Sequence, residues 1–198
     1  GYAVKLFPSQ FATHFAIRAA LAARARIADP GAIRAVRLRT PVMGYIDRPA
    51  PATGLAGKFS FQYTAAAALL DGAVAMTSFD DKRRFAPDME RLLPLIRLTM
   101  DETVPAVFDR TYVEIEVDLA SGETVKGRCE RLDGAWGNPV SDADHWVKLK
   151  ECFSRAVNDK TTARIAGEVE RLETLDSAAL RALIRLTATP APASTHGV

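Results

Sequence analysis

The sequence has 198 residues, nearly half of them apolar, which is enough for one well-packed domain with or without a helical extension. Its formal net charge is only +2, and the two signs are interspersed rather than gathered into a basic stripe, so we expect no nucleic-acid partner. The longest apolar run, 64–70, is too short to cross a bilayer, and no charged start leads into an apolar signal core. We therefore expect a cytoplasmic protein with no membrane partner.

The sequence contains none of the common motifs for binding a metal ion or a nucleotide. The two cysteines form no CxxC pair, and the three histidines are widely separated, with no HExxH among them. The patterns GxGxxG, GxxxxGK(S/T) and GxSxG are also missing. We expect no metal and no cofactor, so an enzyme with this sequence would use ordinary acids, bases and cations.

The first half of the chain predicts a helix, a strand and a second helix. The segment 10–27 is rich in Ala, Leu and Phe and follows Ser9, a plausible N-cap. In 32–40, apolar residues alternate with arginines, which predicts a half-buried strand with a cationic outer face. After a loop rich in Pro, Gly and Ala, the alanine run within 58–72 predicts a tightly packed helix that ends at its Asp-Gly pair.

The second half predicts a hairpin followed by helices. A strand is expected near 96–100, and strict alternation over 113–119 with a Ser-Gly turn after it predicts two paired strands. Three helices are expected beyond this hairpin, at 142–157, 160–172 and 177–186. The sequence thus predicts an α+β fold, with a small antiparallel sheet and helices packed on one face. We expect one domain over 1–188, with its C-terminal helices from about residue 141, and a disordered tail over 189–198.

Two polar side chains in the predicted helices have open interpretations. Gln10, His14 and Arg18 are spaced at i, i+4 and i+8 on the side opposite a phenylalanine stripe, so we expect His14 to avoid the core. That polar stripe is either a solvated face or part of a site. Tyr63 is either a core residue with its hydroxyl at the edge or a functional group.

Two stretches resemble motifs of the MmgE/PrpD family. KLFPSQFATH, residues 5–14, is similar to its helix opening K-x-F/Y-P-x-x-x-x-x-H, and KFSFQYTAAAALLDG, residues 58–72, is similar to K/R-F/H-S-x-x-Y-x-x-A-x-x-L-x-D-G. A looser third likeness, GNPVSDADHWVKLKECF, occupies 137–153. The family includes 2-methylcitrate dehydratase, cis-aconitate decarboxylase and iminodisuccinate epimerase.

The resemblance implies a lid domain. Family members are about twice this length, with a large helical domain first, a smaller α+β lid after it and the active site between them. A chain that begins with Gly1 is then expected to be a piece of a longer protein. Its partners would be a small polycarboxylate substrate and the missing N-terminal helical domain, with a homodimer possible at full length. We expect the chain alone to be inactive.

The resemblance also assigns roles to individual residues. His14 and Tyr63 match motif positions that we take as catalytic, and Lys5 and Gln10 are expected to bind the substrate carboxylates. Gln10 departs from the family, which often has Cys or His there, and a neutral amide cannot shuttle a proton at neutral pH. We therefore expect a 2-methylcitrate dehydratase-like lyase rather than a decarboxylase. The alternatives are an epimerase of the same family and a non-catalytic module that binds an anionic partner.

Overall fold

The computed structural model describes residues 3–154 and 156–188. The predicted tail, 189–198, lies outside the described residues. The chain divides into two compact units, Gly1–Val140 and Ser141–Val198. No helix in the described ranges is both long enough and apolar enough to span a membrane.

A four-stranded sheet forms the centre of the first unit. Its strands are β1 (Ile33–Thr40), β2 (Ile96–Met100), β3 (Val113–Leu119) and β4 (Thr124–Cys129), in the order β2-β1-β3-β4. The β1–β3 and β3–β4 pairs are antiparallel, whereas β1 and β2 run parallel. The predicted α+β class is confirmed, with one parallel pair in a sheet that we expected to be wholly antiparallel.

Five helices accompany this sheet: α1 (Thr13–Arg24), α2 (Gly54–Gly57), α3 (Phe61–Asp71), α4 (Asp81–Arg84) and α5 (Pro87–Leu92). Helix α1 packs on β3 and β4, and α3 packs on α1. The approach of α1 to the sheet depends on Gly127 of β4, because a Cβ there would collide with the carbonyl oxygen of Ala19. The buried side chains of the sheet, including Val36, Ile115 and Val117, face this contact.

Helix α3 has the predicted start and stop. The hydroxyl of Ser60 accepts a hydrogen bond from the backbone N–H of Tyr63 at 2.9 Å, which caps the first turn. Gly72 ends the helix in the left-handed conformation, with φ of 68°. Ala65–Ala68 between them are completely buried, because small side chains allow neighbouring elements to approach closely from every side.

Helix α1 begins later than predicted, and its cap is different. The side-chain Oε1 of Gln10 accepts hydrogen bonds from the N–H groups of Ala12 and Thr13, at 2.6 and 3.3 Å. The hydroxyl of Ser9 instead contacts that of Thr13 at 2.9 Å. The prediction of Ser9 as N-cap is therefore wrong. Residues 10–12 form a turn before the helix, and the side-chain amide of Gln10, rather than the Ser9 hydroxyl, accepts from the backbone N–H groups at the start of α1.

The second unit consists of helices α6 (Asp142–Phe153), α7 (Asp159–Glu170) and α8 (Ser177–Ala188). Ser141 and Asn158 cap the first two, with side chains that accept from backbone N–H groups inside the first turn. Helix α7 packs against both α6 and α8. All three predicted helices are present, with ends that differ by a few residues.

Candidate functional site

The two motif stretches meet at the beginnings of α1 and α3. The backbone N–H of Gln10 donates to the carbonyl oxygen of Lys58 at 2.9 Å. Each residue lies in the turn just before its helix, and α1 packs directly on α3. Residues separated by nearly fifty positions in sequence therefore form one surface.

Gln10 connects this surface to a tyrosine from the intervening loop. Because Oε1 is held by the helix N-terminus, the amide nitrogen Nε2 faces outward and donates to the hydroxyl of Tyr45 at 3.0 Å. Tyr45 is 56% exposed. The side chain of Gln10 thus acts at both of its ends, as a helix cap and as a support for the Tyr45 hydroxyl.

The loop that carries Tyr45 is tied to the start of α3. The hydroxyl of Ser60 donates to the carbonyl oxygen of Arg48 at 2.6 Å, and the N–H of Arg48 donates to Oε1 of Gln62 at 3.3 Å. The amide nitrogen of Gln62 donates to a carboxylate oxygen of Asp47 at 2.6 Å. The guanidinium Nε of Arg48 donates to the carbonyl oxygen of Tyr45 at 3.2 Å. These bonds fix the loop backbone.

We call Gln10, Tyr45, Arg48, Lys58 and Phe59 the motif cluster. Its two cations lie over aromatic rings: the Arg48 guanidinium is 5.7 Å from the Phe59 ring centroid, and the Lys58 ammonium is 5.4 Å from that of Phe79. In the part of the chain that the structure describes, neither cation forms an ion pair with a carboxylate. The motif cluster therefore presents positive charge and hydrogen-bond donors that suit an anionic ligand.

His14 lies inside the fold, contrary to our expectation that it would avoid the core. It is 2% exposed and contacts the rings of Phe7 and Phe11, with centroid distances of 5.2 and 5.3 Å. The segment before α1 folds back over the helix and covers the predicted polar stripe; the Arg18 guanidinium lies 5.3 Å from the Phe7 ring centroid. The catalytic role of His14 stays a prediction.

Tyr63 is completely buried, and its hydroxyl donates to the carbonyl oxygen of Ser78. Burial raises the pKa of Tyr63 to about 12, so the phenol is neutral at physiological pH. Gly57 lies against the ring so closely that a Cβ would overlap it. The Tyr63 ring thus packs beneath the backbone next to Lys58 of the motif cluster. The catalytic role of Tyr63 stays a prediction.

Lys5 is exposed and forms no ion pair within the described ranges. Its neighbour Val4 donates a backbone hydrogen bond to the carbonyl oxygen of Gly134 at 2.9 Å, which holds the chain around Val4 along the loop after β4. Gly134 has a φ of 80°, and a Cβ there would press on Val4. The structure therefore joins Gln10 to Tyr45 and Lys58 in one cluster, whereas His14 and Tyr63 lie buried beneath the surface.

The outer sheet face, which we define as Arg37, Arg39, Glu114, Glu116, Asp118, Lys126 and Arg128, is highly charged, and each of its cations pairs with a carboxylate. Arg37 pairs with Glu116 at 3.0 Å and with Asp118, and Arg39 pairs with Glu114 at 2.9 Å. Hydrogen bonds from Arg37 and then Thr124 lower the pKa of Asp118 to about 2. The arginine strand that could have bound an anionic partner already holds carboxylates of its own chain.

A groove of about 1180 Å³ in the first unit lies beside the N-terminal segment. Its floor is aromatic, formed mainly by Phe11, Phe15, Phe108 and Tyr112, and Trp136 at its side is 81% exposed. It contains none of the polar motif residues that we singled out. We therefore place the candidate site at the motif cluster.

Metal ligands do not gather anywhere in the described residues, where no group of three or more His, Cys, Asp or Glu side chains could hold an ion. Both cysteines are free. Burial raises the pKa of the Cys129 thiol to about 11, which makes it a poor nucleophile.

Tyr45 and Arg48 were missed by the sequence analysis. They lie in a loop with no periodic pattern, and the hydrogen bond that gives Tyr45 its orientation crosses 35 positions. The signal available in the sequence was an aromatic residue and an arginine close together in GYIDRP, within a connecting segment, and such segments often carry binding residues.

Comparison with known proteins places the chain in an enzyme family. Residues 7–174 match the sequence profile described as MmgE/PrpD C-terminal domain. The chain is 33% identical to mouse (Mus musculus) cis-aconitate decarboxylase over 181 residues, which is 88% of this chain and 37% of the mouse protein. It is 31% identical to the human (Homo sapiens) cis-aconitate decarboxylase over 199 aligned positions, which is 97% of this chain and 41% of the human protein. The chain thus spans about two fifths of the length of these relatives.

Proposed function

Because the chain belongs to the MmgE/PrpD family and is its C-terminal domain, we propose that it forms one wall of the active site of a cofactor-independent lyase that acts on a small polycarboxylate. The observation that carries this proposal is the motif cluster. The two family motifs meet there, and cations without carboxylate partners among the described residues lie beside an oriented hydroxyl. That combination suits a substrate with several carboxylates.

The cluster would contribute binding and charge stabilisation. Removal of a proton next to a carboxylate, or loss of CO2, builds negative charge on an enediolate-like pair of oxygens. Arg48 and Lys58 would hold carboxylates in place, and Lys5 would add a further positive charge from the first motif. Fixed donors of this kind stabilise the developing charge without reorganising during the reaction.

Within this class we favour a dehydration of the 2-methylcitrate type. Gln10 has no titratable group, and its amide is used for the helix cap and for Tyr45. A proton shuttle at this position is therefore not part of the proposal. Decarboxylation of cis-aconitate is the second candidate, favoured by the names of the two relatives, and epimerisation is the third.

Catalysis would require more than this chain. The phenol of Tyr63 and the imidazole of His14, the two residues predicted to be catalytic, are both buried in this chain. Proton transfer needs such groups on either side of the substrate, with water excluded. We propose that a preceding helical domain supplies them, that the complete enzyme is a homodimer in the cytoplasm, and that the chain alone is inactive.

The test is a substrate comparison on the complete gene product that contains this chain. Purified protein is incubated in parallel with 2-methylcitrate, cis-aconitate and iminodisuccinate, and products are followed by NMR. Consumption of 2-methylcitrate with formation of the alkene is the expected result, and itaconate from cis-aconitate would select the second candidate. If none of the three is consumed and none binds, the polycarboxylate proposal is wrong.

The 198-residue chain is assayed beside it. We expect no turnover from this chain, and turnover that survives repurification would overturn the proposal that a second domain is needed.

A third arm tests the rival function, in which the domain is an interaction module. Binding of an anionic protein by the isolated chain, abolished by Arg37→Ala and Arg39→Ala, would support that rival instead.

A further inference from the structure

We propose that Gln62 is a positioning residue that, together with Asp47, holds Arg48 in place to bind a substrate carboxylate. Gln62 itself does not contact the substrate and acts through the loop before α2. The inference rests on the proposed function, because it takes Arg48 to bind a carboxylate of the substrate. It assigns a role to a position that the motif K/R-F/H-S-x-x-Y leaves unspecified.

The first step of the argument is that Arg48 is restrained at its backbone and at its side chain. Its N–H donates to Oε1 of Gln62 at 3.3 Å, and its carbonyl oxygen accepts from the hydroxyl of Ser60 at 2.6 Å. Its Nε donates to the carbonyl oxygen of Tyr45, and its guanidinium lies over the Phe59 ring. The terminal nitrogens make no hydrogen bond within the described ranges. Arg48 thus offers a fixed pair of donors that suits a carboxylate.

The second step is that the orientation of the Gln62 amide is determined from both sides. The backbone N–H of Arg48 can only donate, so the amide oxygen must face it. The carboxylate of Asp47 accepts from the amide nitrogen at 2.6 Å. One side chain therefore connects two consecutive loop residues to the first turn of α3.

The third step is a comparison with another buried polar residue of α3. The hydroxyl of Thr64 donates to the carbonyl oxygen of Ser60 at 2.7 Å, inside its own helical turn. Gln62, which is 2% exposed, instead reaches residues 14 and 15 positions away. A buried amide costs free energy unless its groups are hydrogen-bonded, and these two bonds go to the loop. What Gln62 contributes beyond packing is therefore the position of that loop.

Gln62→Met tests the proposal without changing the charge, because methionine has a similar volume and cannot replace either hydrogen bond. The experiment uses the complete gene product and tricarballylate, a tricarboxylate with neither a hydroxyl nor a double bond to react. Calorimetry gives its Kd, and steady-state kinetics on the preferred substrate give KM and kcat. Gln62→Met should raise Kd and KM about tenfold with a smaller change in kcat, because Arg48 keeps its charge but loses its fixed position.

Thr64→Val is the matched control. It also removes a buried hydrogen bond from α3 at nearly constant volume, so it should lower the unfolding temperature. Because Thr64 makes no bond to the loop, Kd should stay unchanged. A rise in Kd for Thr64→Val equal to that for Gln62→Met would mean that Kd follows stability alone, and would overturn the positioning role.

A charge exchange provides a second test that does not depend on Gln62→Met folding. Gln62→Glu still accepts from the Arg48 N–H but places a carboxylate against that of Asp47, so Kd should rise. Adding Asp47→Asn supplies an amide that donates to the new glutamate, and Kd should return to within about threefold of the wild type. Asp47→Asn should therefore improve binding much more in the Gln62→Glu background than in the wild type. Equal improvement in both would show an effect of net charge alone and would overturn the proposal.

The final arm asks whether Gln62 acts through Arg48. Arg48→Ala should itself weaken tricarballylate binding about tenfold or more, and Gln62→Met should then have little further effect on Kd. Additive effects would overturn the proposed coupling, and an unchanged Kd in Gln62→Met would overturn the positioning role while leaving the proposed function intact. If the wild type neither binds tricarballylate nor turns over a polycarboxylate, the proposed function fails, and this inference fails with it.

Discussion

The motif cluster and the outer sheet face are both exposed, polar and rich in cations, but only the cations of the sheet face form ion pairs with carboxylates among the described residues. On the sheet, Arg37 and Arg39 each meet two carboxylates. In the motif cluster, Arg48 and Lys58 lie over aromatic rings and meet no carboxylate in the described part of the chain. A cation is therefore informative about ligand binding when its own fold leaves it without a carboxylate partner.

Strand register explains why the charges of the outer sheet face are paired. In the β1–β3 ladder, Arg37 lies opposite Glu116 and Arg39 opposite Glu114, so alternating arginines on one strand meet alternating carboxylates on the next. A turn has no neighbouring strand that places a carboxylate opposite each cation. A cation in a turn therefore forms an ion pair only when some other segment brings a carboxylate to it. Composition alone cannot distinguish the two cases, because each contributes the same charges to the total.

The largest expected effect comes from an unpaired cation. In the complete enzyme, Lys5→Ala should lower kcat/KM by the equivalent of about 2–4 kcal/mol if the ammonium contacts a substrate carboxylate in the transition state. Lys126→Ala is the matched control, because its ammonium is 2.6 Å from Glu116 on the outer sheet face and 70% exposed. Steady-state kinetics on both variants make the measurement. Equal kinetics for the two variants would overturn the proposal that the unpaired Lys5 binds substrate.

The next effect concerns the packing beneath the motif cluster. Gly57→Ala should reduce the free energy of unfolding by about 1–3 kcal/mol, because its new methyl group overlaps the Tyr63 ring. Gly44→Ala, in the loop that precedes α2, serves as the control, since a Cβ there has no atom within 4 Å. Denaturant unfolding of both variants gives the comparison. A fully stable Gly57→Ala protein would mean that the loop shifts easily and that the motif cluster is not rigid.

A smaller loss is expected from Tyr63→Phe. The carbonyl oxygen of Ser78 would lose its buried donor, at a cost of about 1–2 kcal/mol in the free energy of unfolding. Turnover measured on the same sample addresses the catalytic role that the family motif implies for Tyr63. Because the phenol is buried and its proton is used by Ser78, kcat per folded molecule should change little, whereas a fall in kcat much larger than the loss of folded protein would support the catalytic role that the family motif implies.

The smallest effect belongs to the paired charges. Asp118 has a folded pKa of about 2 against an ordinary value of 3.8, because Arg37 and Thr124 donate to it. A lowered folded pKa stabilises the protein above the unfolded pKa, and this contribution is lost as the pH falls from about 4 to about 2. Carboxyl NMR titration should show the pKa of Asp118 rising towards 3.8 in Arg37→Ala. Stability at pH 7 should change little, because the pair is solvated.

Local patterns predicted most of the fold. Alternation located β1 and β3, and the Ser60 cap with Gly72 delimited α3, because these features depend on neighbouring residues. His14 was misplaced because the covering segment before α1 is a tertiary feature that helical periodicity does not contain. Tyr45 was missed for the same reason, since the position of its hydroxyl depends on a hydrogen bond from Gln10, which is 35 positions away in sequence.

The parallel pairing of β1 with β2 has a consequence for the folding of this domain. The chain leaves β1 at Thr40 and returns at Ile96, and the loop that carries Tyr45 lies inside this long crossover. The β3–β4 hairpin closes over a few residues and forms early, whereas β2 joins only after the entire crossover is ordered. We therefore expect the crossover, which carries part of the motif cluster, and the pairing of β2 to be completed late in folding. A substitution that delayed this step would expose the backbone edge of β1, and such edges favour association between chains.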